Sequence, residues 1–187
     1  MIALVFTDIV GSTALQREVG DQTYTQIRQA HFDNARTLIA GTNAYEIKTV
    51  GDSFFVVFRT AIEALDFAVA LHQLTGHELV QIRVGVHVGT VRIEEDGDVY
   101  GSAVNYTKRV MDSADKLCGI IVSRDAKSQI EFEKAPQHQK IFFNPFEKGL
   151  PGFDDKQLLF RALSSEIRAV IIAHIRRRRA SVPTSTP

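Results

Sequence analysis

Residues 2–8, Ile-Ala-Leu-Val-Phe-Thr-Asp, are apolar without interruption until Thr7 and Asp8. A continuous apolar run, as opposed to an alternating one, predicts a strand buried on both faces. Gly11-Ser12-Thr13 then offers a turn and a helix start, with Ser12 as N-cap. Asp21 is read as the cap of a long helix to about Ala40, its apolar side built from Ile27, Ala30, Phe32, Ala35, Leu38 and Ile39. Tyr45–Thr49 and Ser53–Phe58 are strand-like runs around Val50-Gly51-Asp52, a hairpin signal. Thr60 caps a second long helix with Ile62, Leu65, Phe67, Ala68, Leu71 and Leu74 inside.

Val80 to Val91 alternates as a further strand, and Glu94-Glu95-Asp96-Gly97 is a polar turn. Gly101 to Ala114 reads as a helix, Gly119 to Ser123 as a short strand, and Arg124 to about Ile130 as a short helix. Lys140–Phe143 and Gln157–Arg161 form a late strand pair around the Lys148-Gly149 turn. Ser164 starts a last helix, and residues 181–187 form a loose tail. With no repeat and no linker, this order predicts one α/β or α+β domain over 1–163, followed by a basic helix and tail over 164–187.

Composition narrows the function classes. The chain has 187 residues, one-domain size. Lys+Arg and Asp+Glu both number 22, so no global field draws the protein to nucleic acid or membrane. Charge is nevertheless uneven, because Arg168 and Arg176 to Arg179 outweigh Glu166 in the last helix. That basic end reads first as a solvated helix terminus favoured by the macrodipole, and second as a docking element. A single Cys, Cys118, excludes a disulfide framework, and it reads as a small buried hydrophobe. No stretch approaches the ~20 apolar residues of a membrane span, so a cytoplasmic protein is expected. The six His residues lack metal-ligand spacing, and His87 is expected to be a packed strand residue. The Phe54-Phe55 and Phe142-Phe143 pairs are read as core and interface packing.

Three segments put charge where strands end: Phe6 to Thr13, Lys48 to Asp52, and Asp98 to Arg109. A carboxylate at the end of a buried strand is costly unless paired or metal-bound. The turn after Asp8 opens a helix whose free N–H groups suit a phosphate. Asn105 and Arg109, at i and i+4, share a helix face. Two acids, a phosphate-ready turn and nearby basic groups suggest metal-assisted phosphoryl chemistry. By pattern alone, Asp8 also fits an N-cap-like role and Asp52 an ordinary turn Asp.

The motifs FTDIVGST, EIKTVGDSFFVVF, IRVGVHVGTV, GDVYGSAVN and EKGL follow one another in order. From Ile2 to about Ala162 the sequence thereby resembles the catalytic domain of class III nucleotide cyclases, the adenylate and guanylate cyclases. The resemblance implies an α+β, ferredoxin-like fold with a mostly antiparallel central sheet flanked by helices. It implies two divalent ions per site, Mg²⁺ or Mn²⁺, held by Asp8, Asp52 and the carbonyl of Ile9. The amides of Gly11, Ser12 and Thr13 would cradle phosphates. Asn105 would orient the ribose, Arg109 would offset charge on the α-phosphate, and Lys148 would contact phosphate. Lys48 and Asp98 match the adenine-reading pair, a donor and an acceptor that complement N1 and the N6 amino group. The implied reaction is ATP to 3′,5′-cyclic AMP and pyrophosphate, in a head-to-tail homodimer with two shared sites. Cytosine presents the same edge pattern as adenine, so a pyrimidine-using cyclase is the near rival, with GTP further off. A catalytically silent nucleotide sensor is the rival of another class. Lys108, where the family usually has a small residue, is a departure that bears on the dimer seam. No nucleic-acid partner and no membrane contact are expected.

Overall fold

The structure is a computed structural model that describes residues 1–74, 80–114, 119–133 and 140–164. The last helix expected beyond Ser164, the tail and Cys118 lie outside the described residues. Strand β1 (Ile2–Ile9) is buried from Ala3 onward. Helices α1 (Ser12–Val19) and α2 (Asp21–Ile39) follow, then the hairpin β2 (Tyr45–Val50) and β3 (Ser53–Phe58), and helix α3 (Ala61–Gln73). After β4 (Ile82–Gly89) come the short pair β5 (Arg92–Ile93) and β6 (Val99–Tyr100), then α4 (Ser102–Met111). The order closes with β7 (Ile120–Ser123), α5 (Arg124–Glu133), β8 (Phe142–Lys148) and β9 (Gln157–Leu163).

Seven strands form one sheet in the order β2-β3-β1-β4-β7-β9-β8. Among the described residues only β4 and β7 pair in parallel; the other pairings are antiparallel. The fold is therefore α+β with a mostly antiparallel sheet. Strand parity sorts the core into two layers. Ala3 and Val5 of β1 pack with Phe32 of α2, Leu65 and Leu71 of α3, and Ile130 of α5. Leu4 and Phe6 point to the other face and pack with Phe55, Val99 and the α4 residues Ala103 and Met111. Helix cover on both faces explains why β4 is buried almost throughout, without the expected half-buried alternation.

Two close approaches seat α4 on β4. A Cβ at Gly85 would stand 2.4 Å from the Met111 backbone nitrogen, and one at Gly89 would stand 2.5 Å from the Ala103 Cβ. Between these glycines His87 is buried, as expected of a packed strand residue. Its ring meets Tyr106 of α4 edge-on at 4.6 Å, and its Nδ1 is hydrogen-bonded to Ser123 Oγ at 2.9 Å. Phe54 and Phe55 are core residues, the latter stacked on Phe6 with ring centroids 4.2 Å apart.

Several local expectations change. Gly11, in the left-handed region at φ 66°, takes the N-cap position expected of Ser12, which becomes the first helical residue. A tight exit from β1 needs that conformation, and only glycine adopts it freely. Gly20 similarly precedes Asp21, which opens α2 from inside and accepts a bond from Gln16 Nε2. Ala30 and Leu74 are exposed, whereas the polar His31 and Tyr24 occupy the buried face of α2. Thr60 caps α3 as expected and forms a capping box with Glu63. Lys148 is the last residue of a longer β8 and so precedes the turn.

Candidate active site

The antiparallel pairing of β1 with β3 sets Thr7 opposite Phe54. That register carries Asp8 to Ser53, whose Oγ donates to Asp8 Oδ1 at 2.8 Å. Asp52, in the β2–β3 turn, is thus one residue from a direct partner of Asp8. The structure brings the two acids to neighbouring strand ends. Asp8 is 6% exposed, so its charge requires partners. On the other side β4 supplies one, since Arg83 stands opposite Asp8 in register. Arg83 Nε donates to Asp8 Oδ2 at 2.8 Å, and its terminal nitrogen NH2 is in contact with the same oxygen.

Asp52 is backed by α2. Its Oδ2 is buried and has no hydrogen-bond partner among the described residues. Burial, and then the charge of Asp52, pushes the Tyr24 phenol above its ordinary value; a hydrogen bond to the Asp52 carboxylate adds to the rise, while Ser12 acts as a side-chain partner in the opposite sense. Ser12 thus turns its hydroxyl to Tyr24, with no side-chain cap bond made at the start of α1. His31 Nε2 is hydrogen-bonded to Thr7 Oγ1 at 2.9 Å, and burial lowers the imidazole to about 4 against the opposing pull of Asp52. His31 is therefore a neutral wall behind the acids.

Among the described residues no group of three or more His, Cys, Asp or Glu gathers around one point. The donors available here are all oxygens: two carboxylates at adjoining strand ends and the backbone of Ile9. Hard divalent cations such as Mg²⁺ or Mn²⁺ take oxygen ligands and keep sites for water or substrate phosphate. A buried, unpartnered carboxylate oxygen on Asp52 fits that chemistry. Gly11, Ser12 and Thr13 follow directly, where the first N–H groups of α1 have no intrahelical acceptor.

Lys48 and Asp98 also meet. Lys48 Nζ donates to Asp98 Oδ2 at 2.5 Å. The pairing of β2 with β3 slips between Glu46 and Lys48, an irregularity that re-aims the strand there. Arg36 fixes the same strand by donating to both carboxylate oxygens of Glu46, at 2.9 and 2.8 Å. The bond from Lys48, then that from the Val99 N–H, holds the Asp98 carboxyl below its ordinary value. Tyr100, hydrogen-bonded to Asp98, has its phenol raised by that contact, and its ring lies 5.3 Å from the Lys48 ammonium.

Asn105 and Arg109 are both exposed on α4. Lys148 stands on the other edge of the sheet from Lys48. It pairs with Gln157 on the β8 edge of the sheet, whereas Lys48 is on the β2 edge. Gln157 also lines a cavity of about 840 Å³ together with His87, Gly89 and Tyr106, towards the Ile2 end of β1 and away from Asp8. None of the residues expected in the site lines that cavity. The expected set is therefore split over one protomer's surface. Sequence reasoning missed Arg83, Asp112, Tyr24, His31 and Tyr100. Arg83 and Tyr100 fall within quoted motifs, but their partners depend on strand register and the β5–β6 turn.

The fold is that of nucleotide cyclase catalytic domains. It matches a solved adenylate cyclase domain of Trypanosoma brucei with a TM-score of 0.73 and 22% identity, covering 88% of both chains. It matches the adenylyl cyclase CyaB of P. aeruginosa with a TM-score of 0.72 and 20% identity, over 88% of this chain and 94% of that one. Residues 1–141 match the family model of the adenylate and guanylate cyclase catalytic domain, and the chain belongs to that family. An adenylate cyclase of Streptomyces coelicolor is 28% identical over 137 residues, which is 72% of this chain. The chain spans 36% of that relative's length. No helix among the described residues is long and apolar enough to cross a membrane.

Proposed function

We propose that this chain is an adenylate cyclase, converting ATP to 3′,5′-cyclic AMP and pyrophosphate in a head-to-tail homodimer. The observation that carries the reading is the meeting of Asp8 and Asp52 at adjoining strand ends, with a buried Asp52 oxygen that has no hydrogen-bond partner among the described residues. Asp8, Asp52 and the Ile9 carbonyl would hold two Mg²⁺ or Mn²⁺ ions. Such ions activate the ribose 3′-oxygen and neutralise the triphosphate. The amides of Gly11, Ser12 and Thr13 receive phosphate oxygens. Asn105 orients the ribose. The Arg109 guanidinium offsets the charge that builds on the α-phosphate as the 3′-oxygen bonds to phosphorus and pyrophosphate departs. Lys148 holds the leaving phosphates.

Asp8 and Asp52 of one protomer would face Lys48, Asp98, Asn105, Arg109 and Lys148 of its partner. Base choice rests on Lys48 and Asp98, already paired at 2.5 Å. Lys48 donates to adenine N1, and Asp98 accepts from the N6 amino group. Guanine presents the reverse pattern and leaves both groups without partners. Cytosine N3 and N4 match the same pair, which makes CTP the second reading.

The test offers ATP, GTP, CTP and UTP separately to the purified protein, with Mn²⁺ and then Mg²⁺. A cyclic product from ATP in clear preference is the expected result. A dominant pyrimidine product would transfer the assignment to the second reading. A folded dimer that yields nothing from any of them would be a nucleotide sensor.

A further inference from the structure

Asp112, the residue that closes α4, stands between two arginines. Its Oδ1 is 3.2 Å from an Arg83 guanidinium nitrogen, and its Oδ2 is 3.8 Å from one of Arg109. The opposite side of the Arg83 fork is on Asp8. Four side chains therefore alternate in charge, Asp8–Arg83–Asp112–Arg109, from a buried strand end to the exposed face of α4. We infer that Asp112 is a positioning residue that couples the carboxylate half-site of a protomer to the arginine half-site of the same protomer. This rests on the proposed cyclase reading, in which those halves serve two different active sites of one dimer.

The physical argument concerns how one guanidinium is shared. Arg83 uses Nε and one terminal nitrogen on Asp8 and the other terminal nitrogen on Asp112. A divalent cation at Asp8 competes with Arg83 for the same oxygen. Arg83 then has Asp112 as its remaining carboxylate, and Asp112 is drawn from Arg109, the more distant of its two partners. Arg109 is freed to turn to a phosphate in the neighbouring site. Cation binding at one site thus readies the catalytic arginine of the other. The coupling runs both ways, as linkage requires.

The experiment uses Asp112→Asn, which keeps the shape and removes the charge, with Asp112→Ser as a second neutral variant and Asp112→Glu as the charge-retaining one. Mn²⁺ is titrated into the protein without nucleotide, and free Mn²⁺ is read by electron paramagnetic resonance. Without the Asp112 charge, Arg83 is held by Asp8 alone. Mn²⁺ affinity should fall about fivefold in the neutral variants, at the low end for coupling between sites, and return in Asp112→Glu. An affinity within twofold of the parent in both neutral variants overturns the inference.

A second arm mixes Asp52→Ala with Arg109→Ala chains, so that a mixed dimer keeps one complete site. Asp112→Asn is then added to either chain. Coupling predicts that kcat is kept or raised when it accompanies the working Arg109, which Asp112 no longer holds, and that the Mn²⁺ requirement rises when it accompanies the working Asp8 and Asp52. A lower kcat in the first position with no change in the second means that Asp112 merely orients Arg109, and the coupling is rejected. If the parent mixture is inactive, the shared-site reading itself fails, and the Mn²⁺ titration decides the inference about Asp112 independently.

Discussion

Lys48 Nζ stands 2.5 Å from Asp98 Oδ2, although fifty positions separate the two residues in sequence. The contact joins the bulged strand β2 to the turn before β6, and Tyr100 closes it from the side. Each partner thereby holds the other in the orientation a base edge would need. Tyr100 beside the pair is half-exposed.

The first prediction concerns base choice. Asp98→Ala removes the acceptor proposed for the adenine amino group and takes the carboxylate partner from Lys48. The kcat/KM for ATP should fall by at least about tenfold, because a site built around a hydrogen bond discriminates strongly through it. The value for GTP should change less, so the ATP/GTP ratio narrows. Steady-state kinetics with both nucleotides check this, and an unchanged ratio would remove Asp98 from base reading.

The second concerns the shared site. Asp52→Ala and Arg109→Ala should each be nearly inactive alone. After equal mixing and exchange of protomers, half the dimers are mixed and each holds one complete site. Activity should then recover to about a quarter of the parent value. No recovery, with mixed dimers demonstrated by differential tagging, contradicts a site built from two chains.

Much of this was legible in the sequence for a definite reason. Asp8, Asp52, Lys48 and Asp98 lie in motifs whose order along the chain carries the resemblance, and the hairpin and the Thr60 cap have strong local signals. Arg83 was not legible as a partner of Asp8, because 75 positions separate them and only the β1–β4 register joins them. Tyr24 and His31 fall outside the apolar side read for α2 from Ile27, Ala30, Phe32, Ala35, Leu38 and Ile39. Their burial follows from what they back, the strand end at Thr7 and the turn at Asp52. Gly11 outcompeted Ser12 for the cap, because the left-handed exit from β1 depends on backbone freedom and not on a hydroxyl.

The third prediction is a pH dependence of stability. Burial lowers both His31 and His87 to about 4 from an ordinary value near 6.5. Between those values the unfolded chain binds protons that the folded chain refuses. Stability is therefore intact above pH 6.5 and is lost as the pH falls towards 4. Each buried histidine should cost about 2 kcal/mol between pH 7 and 5. His72 shifts in the same direction. Urea unfolding at the two pH values measures the loss, and His87→Gln should remove the share due to that residue. An identical pH slope in the variant would mean that the refused proton belongs elsewhere.

The fourth prediction tests how the fold positions Asn105 and Arg109. Both ride on α4, and α4 can lie close to the sheet only because β4 presents glycine beneath it. A methyl group at Gly85 would stand 2.4 Å from the Met111 nitrogen and 2.7 Å from its Cα. These are backbone atoms of a helix, so no side-chain rotation relieves the clash, and α4 must lift. Overpacking of a fitted core costs about 1–3 kcal/mol and sometimes more. Gly85→Ala should lower the urea midpoint accordingly, and lifting α4 should also weaken the 4.6 Å contact between Tyr106 and His87. Gly149→Ala is the matched control, since its added Cβ meets nothing within 4 Å and its φ lies outside the left-handed region. The control should leave stability unchanged within about 0.5 kcal/mol. Equal stability of the two variants would mean that α4 does not rest on β4 at this distance, and the face that presents Asn105 and Arg109 would have to be drawn again.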